Sequence, residues 1–464
     1  MKAIVWAFLL NLIAQGALVS GAKAALPASE QRVAELKQLR FGMFICWSFS
    51  TFSGKEWTPG ITNLDLFHPT GCDVEQWVKT AKEAGMGYVL FLTKHHDGFC
   101  LWDTQTTGRK VTRSVLGRDV LRQLRQACDS QGIKLALYFS EGEWAWPSPP
   151  DGKRPNNGGC NPQMKQAQLK ELLTQYGPIE FIWFDNAVGD GGLGHEETVA
   201  FCKALQPRCF IGFNGGPPAG DIRLGEMGRP APLAEVSGAG FNSAQMAGYK
   251  GYQAAEFTYP ILPSHQDGAM WFYSLPKHDQ LCLPAEKIYA DYLGAAKYGN
   301  IFSLDVGPNY EGRLRDIDVQ TLRKVGQYIR GELKLPPMPV SQGKPARASS
   351  VWQNSQAFSA AAAVDGDTES RWGGAENSRS GWVEVDLETA TRIRRAVVME
   401  LAYPRTRKFA IEYKHGETWK ELVHGTTIAG TRAYQFEPVT ARYVRLNIIE
   451  AAEVPTIEEF QLFQ

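Results

Sequence analysis

What most restricts the folding of this chain is an alternation, sustained from about residue 41 to residue 331, of short apolar runs with longer amphipathic segments. The runs are Phe41–Trp47, Tyr88–Thr93, Ile133–Phe139, Ile179–Phe184, Cys209–Phe213, Ala254–Thr258 and Asn300–Asp305. A strand covered on both faces reads as one continuous apolar run, because neither side of its pleat meets water. Between the runs, Asp73–Ala84, Arg118–Ser130, Pro162–Tyr176, His195–Leu205, Pro284–Tyr298 and Leu314–Ile329 have helical character. Repeated strand–helix units predict an α/β architecture, a (β/α)8-type barrel first and a doubly wound open sheet second. No GxGxxG or Walker-type loop follows the first run, which weighs against the nucleotide-binding version of the open sheet.

The pattern changes after residue 334. Leu335-Pro-Pro-Met-Pro-Val340 opens a stiff linker, 335–344. From 345 to 464 there is no cysteine, and alternating runs at Trp382–Leu387, Phe409–Tyr413, Tyr443–Ile448 and Glu459–Phe463 predict an antiparallel β-sandwich. At the other end, Met1-Lys2, an apolar Ile4–Leu18 and Ala22-Lys23-Ala24 have the form of a cleaved leader over 1–24. That leaves a barrel domain over 25–334 and predicts a secreted or periplasmic protein. The apolar stretch is shorter and more interrupted than a membrane span of ~20 residues, and no later segment qualifies, so no membrane span is expected.

Charge and cysteine usage narrow the function. Lys+Arg and Asp+Glu both number 49, giving a formal net charge of zero, and the longest basic cluster is Tyr403–Lys408. A nucleic-acid partner needs a cationic excess or stripe, so none is expected. The 8 cysteines permit disulfides in an oxidising compartment, but no CxxC pair or nearby histidine cluster has zinc-site spacing, so no catalytic metal is expected. The 13 tryptophans hint at carbohydrate, since flat rings stack on sugar faces, although most tryptophan is core.

In a parallel barrel the C-terminal strand ends line one mouth, which carries the active site. Here those ends read Trp47, then Lys94-His95-His96-Asp97, Glu141, Asp185, Asn214, Glu256 and Asp305. Carboxylates recurring at one level, without metal-ligand spacing, suit general acid/base and nucleophilic chemistry, and a carboxylate pair is the working part of most glycosidases. Asp185, emerging beside Trp183 and Asn186, is either such a nucleophile or a helix N-cap. Neighbours on an extended strand end point to opposite sides, so one of His95 and His96 is expected to reach sugar hydroxyls and the other to be structural.

Several segments stand in a recognisable order: Phe41-Gly-Met-Phe-Ile45, Gly54-Lys-Glu-Trp57, Ala81-Lys-Glu-Ala-Gly85, Thr93-Lys-His-His-Asp-Gly-Phe-Cys-Leu-Trp102, Ile182-Trp-Phe-Asp185, and Asp305-Val-Gly-Pro308 with Gly312-Arg-Leu314. Together they resemble the retaining α-L-fucosidases of glycoside hydrolase family 29 over roughly 35–331. The resemblance implies Asp185 as nucleophile, a carboxylic acid/base, no catalytic metal and a fucosylated glycan as substrate. It implies a sugar pocket of His95, His96, Glu56, Trp57, Trp102, Tyr138 and Trp183. Gly220-Asp-Ile-Arg-Leu-Gly-Glu226 is similar to the segment supplying the acid/base in the branch acting on α-1,3/1,4 linkages. That makes Glu226 the first candidate and Glu256 the second. Family members usually carry histidine where Cys46 precedes Trp47, and a thiol does not supply the hydrogen bonds of an imidazole. A related pyranoside hydrolase, or an inactive carbohydrate-binding protein, is therefore the alternative.

In the tail, Ala348-Ser-Ser350, Ala363-Val-Asp-Gly-Asp367, Arg371-Trp372, Trp382–Leu387, Ala441–Leu446 and Ile457–Phe460 resemble a discoidin-like (F5/8 type C) domain, the fold of carbohydrate-binding modules of family 32. The resemblance implies sugar binding or a stabilising wall, with a possible structural calcium.

Overall fold

The computed structural model describes residues 28–61, 63–142, 161–185, 192–215, 218–236, 248–368, 370–401 and 404–464. The leader expected at 1–24, Asn186, Cys160 and Tyr403 lie outside them. The chain divides into two compact units between Lys334 and Leu335.

The first unit is a closed barrel of β1 (Phe41–Ile45), β2 (Tyr88–Lys94), β3 (Lys134–Ser140), β4 (Phe181–Asp185), β5 (Phe210–Asn214), β6 (Ile222–Glu226), β7 (Ala254–Pro260) and β8 (Ile301–Asp305). All neighbours are parallel, and β8 closes on β1 with Phe302 opposite Phe41. Seven of these match the apolar runs. β6 does not, because Ile-Arg-Leu-Gly-Glu breaks the apolar signal with three residues that strands seldom favour.

Helices α1 (Ala28–Leu39), α2 (Phe49–Ser53), α3 (Val74–Glu83), α4 (Val120–Gln131), α5 (Pro162–Gln175), α6 (His195–Leu205), α7 (Ala285–Tyr298) and α8 (Asp316–Ile329) accompany the strands. Three begin on a side-chain cap: Asp73 accepts from Gln76 N, Asp119 from Arg122 N and Asn161 from Met164 N. Each satisfies a backbone donor that the first turn leaves without a partner.

The barrel interior is filled. A Cβ at Gly42 would lie 2.3 Å from the Tyr88 ring, so only glycine fits beneath that ring, and the Tyr88 hydroxyl meets Ser303 Oγ at 2.7 Å. On the outer face of the sheet Phe302 stacks on Phe257 at 4.6 Å and on Phe41 at 5.0 Å, and Phe41 meets Tyr292 of α7 at 6.0 Å. Just past β3, the Glu141 carboxylate is ion-paired with Lys165 of α5, and both side chains are buried. The Lys165 ammonium also donates to Thr198 Oγ1 at 2.9 Å. Breaking a buried pair from one side leaves an uncompensated charge, so Lys165→Met should lower stability by about 3–5 kcal/mol, seen as a lower urea midpoint. An unchanged midpoint would mean that Glu141 needs no cation.

The second unit is antiparallel. A six-stranded sheet runs β13 (Thr418–Gly425), β12 (Thr406–His415), β14 (Thr431–Ala451), β11 (Gly381–Met399), β16 (Glu459–Phe463), with β9 (Ala346–Ala348) also on β11. A second sheet pairs β10 (Trp372–Gly373) with β15 (Thr456–Ile457). Alternate side chains, among them Val383, Val385, Leu387, Val444, Leu446 and Ile448, meet Trp372 and Phe460 in one core. The last residues of the expected linker are tied into this unit, since Val340 N donates to Leu462 O at 2.7 Å and Gly343 N to Val364 O at 2.6 Å. Among the described residues no group of three or more His, Cys, Asp or Glu could hold a metal ion. The seven described cysteines are free, and no described helix is long and apolar enough to cross a membrane.

Candidate active site

The C-terminal ends of the strands surround a hollow of about 390 Å³ lined by Phe44, Cys46, Glu56, Trp57, Leu92, His95, His96, Tyr138, Trp183, Asp185, Glu226, Met227, Gly268, Met270, Trp271 and Phe272. That volume suits a small ligand held in a concave, mainly apolar site. Asp185 ends β4 and Glu226 ends β6, and Asn214, at the end of β5 between them, joins the two. Its amide Nδ2 donates to Glu226 Oε2 at 2.6 Å and to Asp185 Oδ1 at 3.3 Å. The other Asp185 oxygen, Oδ2, accepts from the Tyr138 hydroxyl at 2.6 Å and faces His96 Nε2 at 3.4 Å.

These surroundings pull the two carboxyls apart in acidity. Burial raises both. At Asp185 this is opposed by the Tyr138 and Asn214 hydrogen bonds and by His95. Glu226 has only Asn214 and also feels the Asp185 charge, which with burial pushes it up to about 7. The stronger upward push thus falls on Glu226, which makes it the weaker acid of the two. Burial also pulls His96 down to about 3 and His95 well below the ordinary histidine range, so both rings are neutral at neutral pH.

Most of the expected pocket residues converge. Tyr138 and Trp183 stack at 5.3 Å on one wall. The Glu56 carboxylate is fixed by Met270 N at 2.6 Å and Trp271 N at 3.2 Å, while Trp57 stands at the rim, 58% exposed. His95 and His96 do not diverge as expected. The extended strand ends at Lys94, Gly98 N bonds back to His95 O at 3.1 Å, and this turn stacks the two rings 4.2 Å apart on the same side.

Trp102 is a correction: it is fully buried away from the hollow, its Nε1 donating to Glu171 Oε2 at 2.9 Å. Glu256 is another. β7 continues to Pro260, so Glu256 sits mid-strand, buried below the mouth, with Trp183 Nε1 at 3.3 Å. Burial pushes its carboxyl up to about 8. Of the other strand-end groups, Trp47 is buried with its Nε1 on Asn309 O at 3.2 Å, and Glu141 belongs to the ion pair with Lys165. Asp305 is buried beside Cys46, and the burial holds both groups well above their ordinary ranges.

Sequence reasoning missed the Gly268–Phe272 wall, which had no periodic signal. It placed Asn214 at a strand end without seeing that it bridges the acids. A closed parallel barrel with two unlike carboxyls sharing one amide at its mouth has the arrangement that glycoside hydrolysis uses.

Comparison with known proteins makes that class specific. Residues 22–212 match the family model described as Alpha-L-fucosidase, and 362–446 match that of a NedA-like, galactose-binding domain. Alpha-L-fucosidase 1 of Arabidopsis thaliana is 28% identical, covering 94% of this chain and 87% of its own. Plasma alpha-L-fucosidase of Homo sapiens is 22% identical over 65% of this chain and 68% of its own. The fold is shared with a family 29 fucosidase of Ruminococcus gnavus solved with fucose, at a TM-score of 0.53 and 21% identity over 94% of each chain. Residues 22–212 thus carry an alpha-L-fucosidase family-model domain whose curated relatives are α-L-fucosidases, and 362–446 carry a galactose-binding domain of the F5/8 type C kind.

Proposed function

We propose that this chain is an exported, retaining exo-α-L-fucosidase that releases terminal fucose from α-1,3/1,4-linked oligosaccharides or glycoconjugates. Asp185 attacks the anomeric carbon while Glu226 gives its proton to the departing glycosidic oxygen. Water then enters, Glu226 takes its proton, and the Asp185–sugar ester is cleaved. The observation carrying this reading is the Asn214 amide bonded to both carboxyls. The nearest oxygens can be no farther apart than those two bonds laid end to end. That suits the about 5–5.5 Å spacing of retaining pairs better than the about 6.5–9.5 Å that leaves room for an inverting water.

Export rests on the leader-like 1–24, which leaves open the extracellular or periplasmic side. The linkage preference rests on the likeness of Gly220–Glu226. For the tail, the galactose-binding description of its matching model supports a second glycan contact.

Proton NMR of early hydrolysis of fucosylated milk oligosaccharides tests the proposal: α-L-fucose should appear first and mutarotate later. First appearance of the β anomer would overturn retention. Release of a different sugar would favour the related-pyranoside reading. If glycan binds but neither these substrates nor nitrophenyl α-L-fucoside is cleaved, the protein is a binding protein instead.

A further inference from the structure

Ser140, the last residue of β3, lies in register with Asp185 of β4, and its side chain is fully buried between the nucleophile's strand and the histidine turn. Its Oγ accepts from Gly142 N at 2.9 Å and meets His96 Nδ1 at 2.6 Å. On the far side of the same ring, Nε2 faces Asp185 Oδ2 at 3.4 Å. We propose that Ser140 is a positioning residue that fixes His96 as the Nε2–H tautomer, aiming a neutral donor at the Asp185 carboxylate. This rests on the reading of Asp185 as the ionised nucleophile.

The hydrogen-bond inventory carries the argument. The Gly142 amide can only donate, so Ser140 Oγ is its acceptor. The hydroxyl then has one proton to place, and among the described residues His96 Nδ1 is the acceptor it reaches. A neutral imidazole accepting at Nδ1 must carry its proton at Nε2, where the ionised carboxylate waits. The opposite tautomer would leave the serine proton without that acceptor and would set the Nε2 lone pair against a carboxylate oxygen. The backbone strengthens the arrangement, since Glu141 N donates to Asp185 O at 3.0 Å and so ties the serine's strand to the nucleophile's.

The test combines imidazole 15N shifts of the unliganded full chain, with His96 assigned by its disappearance in His96→Gln, and steady-state kinetics of Ser140→Ala and Ser140→Thr. In the wild type, His96 should show the Nε2–H pattern. In Ser140→Ala, which removes the bond holding Nδ1, that pattern should weaken toward a mixture of tautomers, with kcat about tenfold lower and KM changed little, as for outer contacts that orient a reacting group. Ser140→Thr, which keeps the hydroxyl, should restore both. An Nδ1–H ring in the wild type, or a Ser140→Ala variant that leaves shifts and kcat unchanged, overturns the proposal. Should Ser140→Ala fail to fold, the wild-type tautomer and the threonine variant still decide. The shifts are read without substrate, so an enzyme inactive on fucosides sinks the proposed function alone, and an active one with the wrong tautomer sinks this inference alone.

Discussion

Asp185→Ala should lose turnover almost completely, with kcat lower by on the order of 10⁴- to 10⁶-fold, as when a covalent nucleophile is removed. The size of the effect follows from the geometry. Tyr138, Asn214 and His96 all address this carboxylate, and each of them is neutral. Among the other described carboxyls, Glu226 is the weaker acid, Glu56 is held by Met270 N and Trp271 N, and Glu256 sits below the mouth. The shortened side chain leaves space on the attacking face, so azide should restore part of the rate and give a β-L-fucosyl azide. A variant retaining more than a tenth of wild-type kcat would remove Asp185 from the nucleophile's role.

Glu226→Ala should cost about 10²–10⁴-fold on substrates whose leaving oxygen needs a proton, the usual range for a positioned general acid. Activated aryl fucosides should still form the ester and then stall, and azide, which needs no base, should restart them with retained configuration. The pH profile gives an independent sign. Glu226 is pushed up to about 7 and must carry its proton to act, so wild-type kcat/KM should hold below that value and fall as pH rises through it. The alkaline limb should disappear in Glu226→Ala. Glu256→Gln should keep activity, because that buried carboxyl, pushed up to about 8, is already neutral at neutral pH. Azide rescue of Glu256→Ala but not of Glu226→Ala would exchange their assignments.

The barrel was legible because strands covered on both faces cannot hide their apolar runs. What escaped was local. β6 escaped because arginine, glycine and glutamate occupy three of its five positions, although Glu226 at its end was reached through the family likeness. Glu256 was placed at the mouth because the run was cut at Thr258, while Tyr259 and Pro260 extend the strand and lower the acid's level. The divergence expected of His95 and His96 assumed extended backbone, and the turn after Lys94 removed that assumption. Trp102 looked like pocket by motif, but a motif does not tell which side of a loop packs inward. In the tail, β11 was expected over six residues and runs from Gly381 to Met399, because register shifts between Asp386 and Thr391 and between Ile393 and Arg395 carry the strand through a break in the alternation.

Tyr88, pressed over Gly42 and bonded to Ser303, fills the barrel beneath the hollow, so a sugar ester formed on Asp185 as proposed is reached from the mouth side. The acceptor that cleaves such an ester then enters on the side from which the first product leaves. Hydrolysis and transfer to another alcohol thus become a contest for one doorway, decided by which hydroxyl compound is most concentrated there when the aglycone departs.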